Sequence, residues 1–129
     1  MARLCVVGLG YVGLVTASCF ASLGHGVVGL DKDQGKIDLL SRGVSTFFEP
    51  GLDELLKNGL GKSLLSFTDD FKTAVSQAEI VFICVGTPPH ENGMAEMSQV
   101  EEVSRCIAGS MNGYKLIVEK STVPAGTAL

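Results

Sequence analysis

The 129-residue sequence predicts an α/β fold: a doubly wound, mostly parallel sheet with helices on both faces. Three observations predict it. Short apolar runs alternate with helix-like stretches along the whole chain. The most apolar run, EIVFICV (Glu79–Val85), has no polar face, as a parallel strand covered on both sides requires. Glycines, hydroxyls and a carboxylate fall just after several strand-like runs, and right-handed crossovers would gather those strand ends on one edge of the sheet.

The elements follow in order. RLCVV (Arg3–Val7) is the first buried strand, and Tyr11–Leu23 follows as a helix with Val12, Val15, Cys19, Phe20 and Leu23 expected on its apolar face. GVVGLD (Gly26–Asp31) is the second strand, and Asp33–Arg42 a helix that stops at Gly43. EPGLDELLKNG suggests a short helix with Pro50 in its first turn and Gly59 just past its end. SLLSFTD is the third strand, after which Asp69 or Asp70 caps a helix running through Gln77. Glu79–Val85 is the fourth strand, Ser98–Met111 is helical, and YKLIVEKS (Tyr114–Ser121) is the fifth strand. No repeat, low-complexity tract or linker interrupts this rhythm, so residues 1–129 are expected to form one domain.

Composition narrows the function classes. With 46% hydrophobic and 19% charged residues the chain is globular and long enough to build its own core. A net charge of −4 without a basic run argues against a nucleic-acid surface. No apolar stretch reaches the roughly 18–20 residues that span a bilayer. The N-terminal run offers only Arg3 as a positive flank and is broken by Gly8, Gly10 and Gly13, so a mature N-terminus is expected rather than a signal peptide. Cys5, Cys19, Cys84 and Cys106 show no metal-ligand spacing and are expected as buried thiols in a reducing, cytoplasmic setting.

The first strand runs into Gly8-x-Gly10-x-x-Gly13. Gly8 would let the chain turn sharply, Gly10 would let the backbone approach a pyrophosphate, and Gly13 would let the helix pack close to the sheet. The helix starting at Tyr11 would aim its free N–H groups at the phosphates. An ordinary glycine-rich turn has the same spacing, and the discriminating residue is Asp31, at the end of the second strand. Its carboxylate could accept hydrogen bonds from adenosine ribose hydroxyls and would repel a 2′-phosphate, which favours NAD over NADP. Lys32 and Lys36 work against that preference, since a nearby cation could host a phosphate.

CVGTPP (Cys84–Pro89) follows the fourth strand, and Thr87 could reach a cofactor ribose or phosphate. A rigid turn made by Pro88 and Pro89 explains the same residues. EKSTVPAGT (Glu119–Thr127) places Ser121 and Thr122 after the fifth strand, where hydroxyls before a proline also serve as caps. His25 is assigned to a helix-to-strand turn, His90 to no polar cluster, and Glu49 to a solvated loop charge.

GLGYVGLVTASCFASLGH, GLD with Lys36 five residues on, FFEPGLDELL, VFICVGTP and EKSTVPAGT, in this order, resemble the nucleotide-sugar dehydrogenases. The likeness is greatest to the UDP-glucose 6-dehydrogenases, with the GDP-mannose 6-dehydrogenases next. The resemblance implies a Rossmann-like NAD-binding domain and oxidation of a sugar C6 alcohol to a carboxylate in two steps, with two NAD⁺ reduced. Carried over by motif, Gly8, Gly10, Tyr11, Val12 and Gly13 would hold the pyrophosphate, and Asp31 the ribose with Lys36 beside it. Val85, Gly86, Thr87 and Pro88 would line the cofactor, and Ser121, Thr122 and Val123 would reach its nicotinamide side. Thr122 matches the threonine that orders water near the reacting carbon and is the candidate catalytic residue.

The resemblance also implies what these residues do not supply. The family's second oxidation uses a cysteine in a Gly-Phe-Gly-Gly-x-Cys segment that none of the four cysteines matches. The expectation is therefore an N-terminal NAD-binding part, truncated before the end of its domain, inactive alone and without a substrate-binding domain. The nucleotide-sugar substrate, a role in polysaccharide biosynthesis and a homodimer would belong to the full-length enzyme. A GDP-mannose enzyme fragment, a stand-alone NAD-binding module and a folded chain that binds nothing remain as alternatives.

Overall fold

β-Branched and leucine-rich runs of four or five residues have too little length for a helix and no polar face to show to water. They become the strands of one parallel sheet. A computed structural model describes residues 2–46, 49–85, 98–110 and 116–119. The elements are β1 (Arg3–Val7), α1 (Tyr11–Ser22), β2 (Gly26–Leu30), α2 (Gln34–Ser41), α3 (Leu52–Gly61), β3 (Leu65–Thr68), α4 (Phe71–Gln77), β4 (Ile80–Ile83), α5 (Ser98–Ser110) and β5 (Leu116–Glu119). The strand order is β3-β2-β1-β4-β5, with every neighbouring pair parallel. Winding proceeds outward from β1 to β3, then restarts on the other side of β1 with β4.

The register puts the functional edge in one line. Val7 pairs with Leu30 and Ile83, Leu30 with Thr68, and Ile83 with Glu119. Gly8, Asp31 and Cys84, one residue further along their strands, therefore leave the sheet on the same rim. The crevice between β1 and β4 is the point where the winding reverses.

β1 is buried on both faces. Leu4 and Val6 join Leu14, Ala17, Ile37, Leu40, Leu52 and Leu56 in a layer beneath α1, α2 and α3. Cys5 and Val7 join Val75, Val81, Ile83, Val103 and Ile107 beneath α4 and α5. Asp33 and Asp70 cap α2 and α4, each accepting a hydrogen bond from the backbone N–H three residues on, at Lys36 and Thr73.

Two expectations are corrected. The buried side of α1 is Gly13, Leu14, Ala17, Ser18 and Ala21, whereas Val12 and Leu23 are 48% and 73% exposed and Cys19 also faces solvent. α1 is apolar nearly all round, so periodicity alone does not choose a face. Contact with the sheet chooses the small residues, which let the helix lie close. Gly59 lies inside α3 rather than past its end, and Pro50 precedes the helix. A Cβ at Gly59 would sit 2.9 Å from the Cβ of Leu65, so a glycine is what allows α3 to settle against β3. Gly51, with φ +83°, is the N-cap of α3, and Lys62 stands at its C-terminal end.

Candidate functional site

The glycine turn begins where β1 leaves the sheet. Gly8 has φ +94°, and its N–H donates to the Leu30 carbonyl at 2.8 Å. A Cβ there would meet the Cys84 carbonyl and the Val85 nitrogen at 2.8 Å, so both conformation and space require glycine. A methyl on Gly13 would run into the Gly8 carbonyl oxygen, which shows how tightly α1 is drawn onto the turn. Gly10 differs. Its φ of −74° suits any residue, and among the described residues a Cβ there meets nothing within 4 Å. Gly10 caps α1 without a side-chain hydrogen bond, and the first turn of α1 holds no acidic residue. The positive end of α1 thus carries no side-chain cap, and none of the described residues stands over Gly10.

Asp31 stands one residue beyond β2, its side chain only 14% exposed. One carboxylate oxygen, Oδ2, accepts from the Leu9 N–H at 3.0 Å, and the other, Oδ1, accepts from the Asp33 N–H at 3.0 Å. Lys36 Nζ lies 3.5 Å from Oδ2. The position of Lys36 follows from α2, where the Asp33 cap holds the Lys36 N–H at 3.2 Å. Asp31 therefore ties the glycine turn to the β2–α2 turn. Two carboxylate oxygens offer about four lone-pair sites, so capacity remains for further donors. Lys32 pairs elsewhere, with Nζ 3.8 Å from Glu102 on α5. That bridge is exposed on both sides and contributes little.

Glu49, expected to be a solvated loop charge, has a partner. The Tyr11 phenol donates a hydrogen bond to its carboxylate. The negative charge of Glu49, and secondarily that hydrogen bond, raise the Tyr11 pKa above its ordinary 10.0. Nothing local in either segment signals this contact, because it joins the start of α1 to the residues preceding α3.

The remaining candidates divide by position. Val85 is half-buried beside Gly8 at the end of β4. Gly86, Thr87, Pro88, Ser121, Thr122, Val123 and His90 lie outside the described residues. His25 is structural: its Nδ1 accepts from the Ala2 N–H at 3.0 Å, and its ring meets Phe20 edge-on at 5.9 Å. Cys5 is buried and Cys84 half-buried, whereas Cys19 is exposed, which corrects the expectation that all are buried. Among the described residues no group of three or more His, Cys, Asp or Glu could hold a metal ion. Among the same residues no helix is long and apolar enough to cross a membrane. A hollow of about 140 Å³ between Arg3, Gly26, Ser63 and Gln77 opens at the amino ends of the strands, the edge opposite the glycine turn.

A glycine turn feeding an uncapped helix N-terminus beside the winding switch, with a carboxylate after the next strand, defines a Rossmann-like dinucleotide-binding domain. Comparison with known proteins narrows the class. The chain belongs to the UDP-glucose/GDP-mannose dehydrogenase family, whose NAD-binding domain model matches residues 2–129. It is 48% identical over 126 residues to a UDP-glucose 6-dehydrogenase of Rhizobium meliloti, covering 97% of this chain and 29% of that protein. A GDP-mannose 6-dehydrogenase of Pseudomonas syringae pv. tomato is 44% identical over 128 residues, again 97% and 29%.

Solved structures agree. A ternary complex of GDP-mannose dehydrogenase from Pseudomonas aeruginosa superposes with a TM-score of 0.95 at 43% identity, covering 98% of this chain and 30% of that one. A UDP-glucose dehydrogenase from Pyrobaculum islandicum gives 0.93 at 43% identity, with the same coverage. The chain thus spans under a third of the length of these relatives.

Proposed function

We propose that these residues form the NAD site of a UDP-glucose 6-dehydrogenase, with the α1 N-terminus holding the pyrophosphate and Asp31 reading the adenosine ribose. The observation that carries this reading is the junction of Gly8–Gly13 with Asp31 through the Leu9 N–H. It joins an anion-favouring helix end to a hydrogen-bond acceptor on one rim, with none of the described residues over Gly10. Bound NAD⁺ supplies a hydride acceptor; the chain supplies its seat. Gly8 and Gly13 shape the turn, Tyr11, Val12 and Gly13 present backbone N–H groups, and Lys36 neutralises part of the Asp31 charge. By the family's motifs, Val85, Gly86, Thr87 and Pro88 would line the cofactor and Ser121, Thr122 and Val123 would serve its nicotinamide side. Thr122 orders water at the reacting carbon.

Lys36 is held against Asp31, whose carboxylate would repel a 2′-phosphate at the ribose. NAD over NADP follows. Asp31→Asn removes the charge and keeps one acceptor for the Leu9 N–H, while its amide nitrogen replaces the oxygen that accepts from the Asp33 N–H, so unfolding is measured beside binding. Calorimetry should show NAD binding weakened about 10-fold, the worth of a charge-assisted hydrogen bond, and NADP binding unchanged or improved. Equal losses for both cofactors would count against the ribose assignment.

The oxidation itself, from C6 alcohol to carboxylate with two NAD⁺ reduced, is the work of a longer protein. We place that protein in the cytoplasm as a homodimer serving polysaccharide biosynthesis, and these 129 residues alone are expected to bind NAD without turning over UDP-glucose. The likeness to GDP-mannose enzymes supports a second reading. NADH formation by the longer protein with UDP-glucose, and not with GDP-mannose, separates the two; the reverse preference overturns the first.

A further inference from the structure

β4 is an inner strand, paired with β1 on one side and β5 on the other, yet its two faces differ. Val81 and Ile83, beneath α4 and α5, are 0% and 3% exposed, whereas Ile80 and Phe82 on the opposite face are only half-buried. The register sets Leu116 beside Ile80 and Val118 beside Phe82, so β5 extends that face, and Leu116 is 49% exposed. Among the described residues the helices on this side are α1, α2 and α3, which pack over β1, β2 and β3. α1 forms one wall. The Phe20 and Phe82 ring centroids lie 5.2 Å apart, and Val12 and Leu23, on the same side of the helix as Phe20, are exposed. The other outer strand supplies the contrast: β3 turns Leu65 and Phe67 to its helices and Ser66 and Thr68 to the opposite face, where Ser66 is exposed. The face left to water at β3 is polar, whereas the β4–β5 face is apolar, as a parallel sheet is where helix covers it.

We propose that this β4–β5 face is the docking site for a helix of the polypeptide that follows residue 129 in the longer protein. The 126 residues matched in the Rhizobium meliloti enzyme are 29% of its length and lie in its N-terminal part, so most of such a molecule follows them. β5 borders the face and is the last strand described, so a segment continuing the same chain reaches it at high effective concentration. A second copy has no such tether. A helix satisfies its own backbone groups and carries an apolar stripe, which here would lie beside α1 over Phe82 and Leu116. The inference rests on reading these residues as part of a longer protein and is independent of the NAD reading.

Cysteine labelling of the longer protein tests it, with each site read by mass spectrometry of its peptide. Leu116→Cys reports the proposed site and Ser66→Cys the polar face of β3. The thiol at position 116 should react with a maleimide at least about 100-fold more slowly than in the urea-unfolded protein, because reaction then waits on local opening. The thiol at position 66 should stay within about 10-fold of its unfolded rate. Equal reactivity at the two positions would leave the β4–β5 face bare and overturn the proposal. Leu23→Cys, at the exposed border of the face, keeps the test open should the Leu116 variant fold poorly. A benzophenone maleimide attached there should, on irradiation, cross-link to a peptide from beyond residue 129 of the same chain, with isotope-labelled and unlabelled protein mixed to tell chains apart. Cross-links confined to residues 1–129, or running to a second copy, overturn the proposal. A reading frame that closes at Leu129 would overturn the longer-protein reading and this inference with it.

Discussion

Gly10 and Gly13 sit three residues apart and are glycine for different reasons. Gly13 is demanded by the fold, because a side chain would strike the Gly8 carbonyl. Gly10 is not, since among the described residues a side chain there meets nothing and its φ is ordinary. Gly13→Ala should therefore cost about 1–3 kcal/mol of stability, as other overpacking changes do. Gly10→Ala should cost about 1 kcal/mol or less, mainly from an alanine at the cap. On the proposed reading its NAD affinity should nevertheless fall by at least about 10-fold, or 1.4 kcal/mol, because the methyl would stand where the pyrophosphate approaches. Denaturant unfolding and calorimetry on the two variants check this. A Gly10→Ala chain that binds NAD normally would remove the pyrophosphate from that position. Asp31 shows the same separation of tasks, since removing it outright also frees the Leu9 N–H and loosens the turn.

At the scale of the element, α4 shows how a cap sets a pH response. Asp70 accepts from the Thr73 hydroxyl at 2.8 Å and from its N–H at 3.3 Å. These bonds, the hydroxyl first, lower its pKa below the ordinary 3.8. A folded-state value below the unfolded one adds stability that is complete above 3.8 and disappears as the pH falls through the lower folded value. Asp70→Ala should unfold at lower temperature than the unmodified chain at neutral pH, and the two should converge below pH 3.8. A gap that persists into strong acid would rule out the carboxylate as its source. α4 and α2 were legible from sequence because a cap and its helix are neighbours in the chain. α1 was legible in extent but not in orientation, since every side of it is apolar and only the sheet distinguishes them.

Across the whole molecule, one sheet separates two core layers. Leu56 is buried in the layer under α1, α2 and α3, and Ile107 in the layer under α4 and α5. Truncating either to alanine should cost about 2–5 kcal/mol. With no shared cluster between them, the double variant should equal the sum within about 0.5 kcal/mol, with a single cooperative transition in urea. A larger discrepancy would mean that the sheet transmits strain between its faces. The same architecture carries the site, because five parallel strands with aligned ends bring Gly8, Asp31 and Cys84 to one rim.

The sequence by itself determined the strands, the parallel α/β class, the rim that Gly8 and Asp31 share and the family to which the chain belongs. Those features depend on local periodicity, on turn chemistry and on motifs whose order is read along the chain. Only the tertiary structure decided which side of α1 is buried and that Gly59 belongs inside α3. It alone showed that Asp31 braces the glycine turn and that Glu49 meets Tyr11. Each of those depends on how two layers approach one another, and the distance between residues remote in the chain is set by packing rather than by spacing.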